Sequence, residues 1–260
     1  MFLRTLLSAC LLVPAASYAE TAFAVDSRSI LLSFDTNVPG FVTSVNLIRG
    51  LLPGEGILGI DFRPANKKLY GLGSSNRLYV IDTETGAATA VGAAPFTPAL
   101  EGTEFGFDFN PTVDRIRVVS NRGQNLRLHP DTGAVAAVDM RLNYADGTVP
   151  NVVAAAYTNS VAGATSTVLY GIDSKRLALV TQNPPNDGVL NVVGALVNFD
   201  TSELNGFDIS PNTNQGYAAL RLAGSNRSML FGIHLSTGDH FPIGTLAVFE
   251  QISGFAIQPK

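Results

Sequence analysis

The feature that most restricts how this chain can fold is a six-residue motif that recurs at a nearly fixed interval. Gly59-Ile60-Asp61-Phe62-Arg63-Pro64 returns as Gly106-Phe107-Asp108-Phe109-Asn110-Pro111, Gly206-Phe207-Asp208-Ile209-Ser210-Pro211 and Gly254-Phe255-Ala256-Ile257-Gln258-Pro259. A degenerate copy is read at Ala155-Ala156-Tyr157-Thr158-Asn159-Ser160. The third positions, 61, 108, 157, 208 and 256, are spaced by 47, 49, 51 and 48 residues, the period of one four-stranded propeller blade. The expected fold is all-β, a five-bladed β-propeller.

Each unit reads as four short strands separated by turn residues. In the second unit they are expected at 58–62, 68–72, 77–82 and 87–91, and the third repeats the plan at 105–109, 115–120, 125–129 and 135–139. No motif copy precedes the first three strands of the chain. The strand missing there is found at 253–259, so the last strand is expected to complete the first blade and close the ring, which removes exposed sheet edges. The motif glycine lets crowded inner strands approach, and the proline five residues later ends the strand because it lacks an N–H. Ile60, Phe62 and their counterparts are expected to pack between blades.

Hydrophobic residues make up 46% and charged residues 15% of the 260, with 25 Gly and 14 Pro, which fits many turns and short strands in one packed domain. A net charge of −4 argues against nucleic acid, which needs a concentrated basic surface. Residues 1–19 read as a signal peptide: a positive start at Arg4, an apolar run over 6–16, and small residues at Ser17 and Ala19. Residues 20–260 would then be a single exported propeller, periplasmic or secreted. No later stretch approaches the roughly 20 apolar residues of a membrane-spanning helix. The lone cysteine, Cys10, would leave with the signal, excluding disulfides and thiolate chemistry. In a rival reading Leu7-Ser8-Ala9-Cys10 is a lipobox and Cys10 carries lipid.

The succession from Gly59 to Pro64, from Phe105 to Ser120, from Gln124 to Leu128, from Asn151 to Asn159 and from Thr181 to Gly188 resembles a bacterial family known as domain of unknown function 4394. The resemblance covers nearly all of 20–260. It implies exported, propeller-like proteins without an assigned activity, cofactor or catalytic residue.

Asp61, Asp108 and Asp208 hold the same motif position in three units, with Tyr157 and Ala256 in the other two. If the inner strands line a channel, three carboxylates converge there. They would serve as catalytic groups for glycoside cleavage or as oxygen ligands for a hard cation such as Ca²⁺; the plainer reading is that each accepts backbone hydrogen bonds from a neighbouring blade. Glu55, Glu104, Glu203 and Glu250 precede the motif in four units and would rim one mouth. Arg115, Arg117, Asn121, Arg122, Gln124, Asn125 and Arg127 form a second candidate cluster for ligand binding, since the arginine fork suits carboxylates and phosphates, against the alternative of an exposed face paired with nearby acids. The amide-rich loop 182–188 is a third candidate, for sugars. His129 and His234 read as turn caps in the position of Asp82, and His240 as exposed. Serine-hydrolase elbows, phosphate loops and zinc-binding helices are absent.

The function these residues support first is a non-catalytic binding propeller, with a protein, glycan or small molecule held by loops at one mouth, and without a cofactor. The alternative is a carbohydrate-directed hydrolase or a cation-binding propeller built on the channel carboxylates, and a bare structural spacer is a third reading. A monomer is expected.

Overall fold

The computed structural model describes residues 19–196, 206–221, 225, 227–247 and 251–260; the lipobox, and all of the 1–19 signal reading but residue 19, lie outside the described residues. Twenty strands form five antiparallel four-stranded sheets arranged in a ring, the expected five-bladed propeller. The second blade is β4 (Ile57–Phe62), β5 (Leu69–Gly73), β6 (Arg77–Ile81) and β7 (Ala88–Val91), and the third is β8 (Phe105–Asn110), β9 (Arg115–Ser120), β10 (Asn125–Leu128) and β11 (Val135–Val138). The fourth is β12 (Val152–Tyr157), β13 (Leu169–Asp173), β14 (Ala178–Gln182) and β15 (Leu190–Ala195). The fifth is β16 (Gly206–Ile209), β17 (Gly216–Arg221), β18 (Ser228–Ile233) and β19 (His240–Thr245). The first blade combines β1 (Thr21–Asp26), β2 (Ile30–Asp35) and β3 (Val42–Leu47) with β20 (Ile252–Ile257) as its innermost strand. In that pairing Phe23 stands opposite Ala256 and Ala22 opposite Ile257, so the C-terminal strand closes the ring as expected.

Burial follows position in the blade. The innermost strands are covered on both faces and read as continuous apolar runs, whereas the outermost β3 and β11 alternate between half-buried and exposed, as strands with one wetted face must. The buried residues separate into clusters that lie between blades. Ile60 and Phe62 pack with Phe23, Val25 and Ala256 of the first blade, Phe107 and Phe109 with Tyr70 and Leu72 of the second, and Phe207 and Ile209 with Val153 and Ala156 of the fourth. These contacts require the glycine. A Cβ on Gly106 would lie 2.6 Å from the backbone nitrogen of Ala155, too close for any side chain to be accommodated.

One point of register differs from the sequence reading. Ala156 pairs with Tyr170 as Asp61 pairs with Tyr70 and Asp208 with Tyr217. The fourth motif therefore begins at Ala154, one residue earlier, and Ala156 rather than Tyr157 fills the aspartate position. The alanine run 154–156 carries no glycine to mark the frame, which is why periodicity alone placed it one residue late.

Candidate functional site

An innermost strand has one hydrogen-bonding edge with no partner in its own sheet, and its N–H groups must find acceptors elsewhere. Five such groups, one per blade, lie one residue beyond the third motif position: Phe62, Phe109, Tyr157, Ile209 and Ile257. Three carboxylates serve all five. Asp61 accepts the N–H of Phe62 at 2.6 Å and that of Phe109 in the next blade at 2.8 Å. Asp108 accepts Tyr157 of the following blade at 2.9 Å. Asp208 accepts Ile209 at 2.6 Å and Ile257, on the closing strand, at 2.6 Å. Ala156 and Ala256 offer no acceptor, and the two N–H groups they would have served, on Ile209 and Phe62, are taken by the aspartates that immediately precede them.

The three carboxylates converge, with ligand atoms all within 4.8 Å of one another, and are at most 4% exposed. Burial and then the charge of Asp208 hold the Asp61 carboxyl well above the usual range, and burial followed by the charges of Asp61 and Asp208 does the same for Asp108. Burial pushes Asp208 up to about 7, against the pull of its two backbone bonds. None of the described ion pairs reaches the triad. Alongside Gly59, Gly106, Ala155 and Gly254 the axis narrows to a void of about 10 Å³, room for about one water.

The arginine cluster and the loop 182–188, separate candidates in the sequence, meet one another. Arg117 is 1% exposed and donates to Asp139 at 2.5 Å, Asn125 at 2.7 Å, Asn186 at 2.8 Å and the Tyr157 hydroxyl at 3.3 Å. Asn125 donates to the carbonyls of Met140 and Pro185, and Arg127 grips Asp139 through two nitrogens at 2.8 Å. Gln124 bonds Glu101 and Ala99, and Asn121 bonds Thr103 and Glu104. Arg115 turns back on the Asp114 carbonyl. Only Arg122 stays exposed. Arg117 and Asn125 thus form a seam between the third and fourth blades, while the other members bond within the third blade and the segments flanking it, so the cluster is not the exposed strand face expected. A parallel clamp joins Arg63 of the second blade to Asp114 and Asp131 of the third, both at 2.5 Å.

His129 caps its turn as expected, its Nδ1 accepting the Asp131 N–H at 3.2 Å, while His240 is half-buried beside Phe231 rather than exposed.

Open space collects at the mouth where the inner strands begin. A cleft of about 430 Å³ is lined by Ser27, Leu58, Thr103, Glu104, Gln251 and Ser253, among others. Leu58 and Thr103 separate it from a second, of about 370 Å³, bordered by Ser74, Asn76, Leu100 and Phe105. A third, of about 250 Å³, lies between Arg122, Arg141, Tyr144 and Val149. Glu55 and Glu104 stand at this mouth as expected; Glu203 and Glu250 lie outside the described residues.

The chain matches the family described as Domain of unknown function (DUF4394) over residues 30–256. It belongs to that family. No curated protein matches it. Among solved structures, a structural genomics protein of unknown function from Bacteroides thetaiotaomicron is 16% identical, covers 91% of this chain and 61% of its own, and has a TM-score of 0.55. Myxococcus xanthus glutaminyl cyclase is 10% identical, with 86% and 95% covered and a TM-score of 0.50. PorZ of Porphyromonas gingivalis, a surface component of the type-IX secretion system, is 13% identical with a TM-score of 0.44; this chain spans 26% of its length. The chain thus spans well under two thirds of PorZ and 61% of the B. thetaiotaomicron protein. These likenesses show the fold alone.

In this DUF4394 chain the residues that sequence reasoning missed are those of the mouth clefts. Leu58, Thr103 and Gln251 sit at strand starts and in loops that do not repeat between units, so no periodic signal marks them. Two cleft residues were singled out, Glu104 by its place before the motif and Arg122 as part of the arginine cluster.

Proposed function

We propose that this protein is an exported, non-catalytic binding propeller that takes its ligand at the mouth where the inner strands begin. The observation that carries the reading is the distribution of space: clefts of about 430 and 370 Å³ adjoin at that mouth, while the axis beside the triad holds a void of about 10 Å³. A rigid ring displaying non-repeating loops is a suitable platform for such a role. Export rests on the features of 1–19.

The hydrolase reading has less support. Carboxyl pairs that cleave glycosides stand about 5 Å or more apart around a substrate, whereas Asp61, Asp108 and Asp208 are closed on one another and on backbone N–H groups. A cation at the triad is the second reading, favoured by the convergence itself. Ca²⁺ takes about six to eight oxygens, and five of the six offered here already accept N–H groups.

Soaking crystals with a mixed set of sugars, amines, carboxylic acids and short peptides tests the proposal. Occupancy in the mouth clefts is the expected result. Occupancy confined to the opposite mouth, or glycoside turnover abolished by Asp108→Asn, overturns it.

A further inference from the structure

Glu55 and Glu104 both precede the inner strands of neighbouring blades, four and two residues before the motif glycine, yet their carboxylates are satisfied very differently. Glu55 accepts the Leu52 N–H at 3.0 Å, the Ser75 N–H at 3.2 Å, the Ser75 hydroxyl at 2.5 Å and the Tyr79 hydroxyl at 2.5 Å. Burial would raise its carboxyl, but the hydrogen bonds from Ser75 and Tyr79 prevail and hold it below the usual value. Among the described residues the Glu104 carboxylate has a single hydrogen-bond partner, the Asn121 amide, at 3.1 Å. Its carboxyl is half-buried, is raised by that burial, and faces the larger mouth cleft. No cation of the described residues pairs with it.

A carboxylate partly withdrawn from water without a counter-charge is costly to keep, and a cation from outside offsets that cost. The rest of the lining narrows the choice of cation. Half-buried Leu58 gives the cleft its apolar side, while Ile57 and Ile252 turn into the core, and Ser27, Thr103 and Ser253 give hydroxyls. Beyond Leu58 and Thr103 the second cleft continues the groove past Leu100 and Phe105. A hydrated metal ion would leave that apolar side unused. An alkyl stem laid along Leu58 with its charged head at Glu104 uses both, as long basic side chains do on protein surfaces. A carboxylate or phosphate ligand would meet like charge.

We propose that Glu104 anchors a site for an ammonium or guanidinium group borne on an aliphatic stem. This rests on the mouth being the binding face. Two sources share that chemistry, a free alkylamine or guanidine and a Lys or Arg side chain on an extended peptide.

The test is calorimetric titration of the full-length protein with agmatine, with acetyl-Gly-Lys-Gly-amide, and with the uncharged acetyl-Gly-norleucine-Gly-amide. At least one cationic probe is expected to saturate the protein, the norleucine peptide is not, and Glu104→Gln weakens the cationic probe by about tenfold or more. Glu101→Gln, at a carboxylate already paired with Arg141, leaves the affinity unchanged. Binding of the lysine peptide without agmatine assigns the site to a basic peptide, and equal binding of both to the free cation. Because the uncharged peptide is read on the unmodified protein, the comparison does not depend on the variant folding. Equal affinity for Glu104→Gln, equal affinity for the norleucine peptide, or no saturation by either cationic probe at millimolar concentration overturns the inference. Neutral fragments occupying the clefts would at the same time leave the mouth as the binding face standing.

Discussion

The Asp61 carboxylate accepts the backbone N–H of Phe109 at 2.8 Å, a bond that crosses from the second blade to the third while its other oxygen holds Phe62 at 2.6 Å. One side chain thus satisfies two inner-edge N–H groups on two blades. Asp61→Ala strands both in a buried place, at about 1–3 kcal/mol each. The expected loss of about 2–6 kcal/mol is read as a fall in the urea midpoint at unchanged slope. A loss below about 0.5 kcal/mol would mean that water replaces the carboxylate and that the inter-blade bond is not structural.

The triad also fixes the sign of a pH dependence. The folded-state carboxyls lie above the value of 3.8 usual for aspartate, Asp208 at about 7. Below pH 3.8 the triad is neutral in folded and unfolded chains alike and its contribution is fully present. As pH rises the unfolded chain ionises first, so that contribution declines and is gone once pH passes the folded values, near 7 for Asp208. The buried carboxylate of Glu20 faces Asp208 and adds to the effect. Surface carboxyls such as Asp146, held at about 2 by the Thr148 backbone and Arg176, act in the opposite direction. The triad's share is therefore isolated by Asp108→Asn, whose amide oxygen still accepts the Tyr157 N–H. Relative to the unmodified protein, this variant is expected to gain stability steadily between pH 4 and pH 7. Urea midpoints measured across that range check it, and a difference flat with pH would show that the triad carries no excess protons.

The seam at Arg117 makes a third expectation. Its guanidinium is enclosed by Asp139, Asn125 and Asn186, so Arg117→Ala leaves Asp139, 6% exposed, with only Arg127 as counter-charge. Removing one partner from a buried pair costs about 3–5 kcal/mol, and the thermal transition should fall accordingly. Arg122→Ala, on the exposed side of the same cluster, should change stability by about 0.5 kcal/mol or less. Equal effects from the two would show that the cluster does not act as a seam.

The contrast between Asp108 and Arg117 explains what could be read in the chain beforehand. The propeller, its closure by the last strand and the packing of Ile60 and Phe62 between blades all follow from a repeat, and a repeat is visible in one dimension. Which N–H each carboxylate takes is not, because it depends on what the neighbouring copy lacks: Asp208 serves Ile209 only because Ala156 cannot. The bond from Arg117 to Asn186 joins residues 69 apart, in segments that do not repeat, and nothing in either segment announces the other. The mouth clefts are hidden for the same reason, being built from loops whose lengths and residues differ in every blade.

The geometry of the triad finally separates a fastener from a metal centre. If Asp61, Asp108 and Asp208 owe their convergence to the five N–H groups they accept, the ring is complete without an ion, and a chelator has nothing to remove. Thermal transitions of the purified protein are then expected to coincide in EDTA and in millimolar Ca²⁺, whereas a bound ion at a hundred times its dissociation constant would stabilise the fold by about 2.7 kcal/mol, a shift of a few degrees for a domain of this size. Elemental analysis of the same sample should find no stoichiometric divalent metal. A calcium-dependent transition abolished by Asp208→Asn would reverse the assignment: the N–H groups would then be orienting the ligands of a cation, and the protons that burial places on the triad would be what the ion displaces.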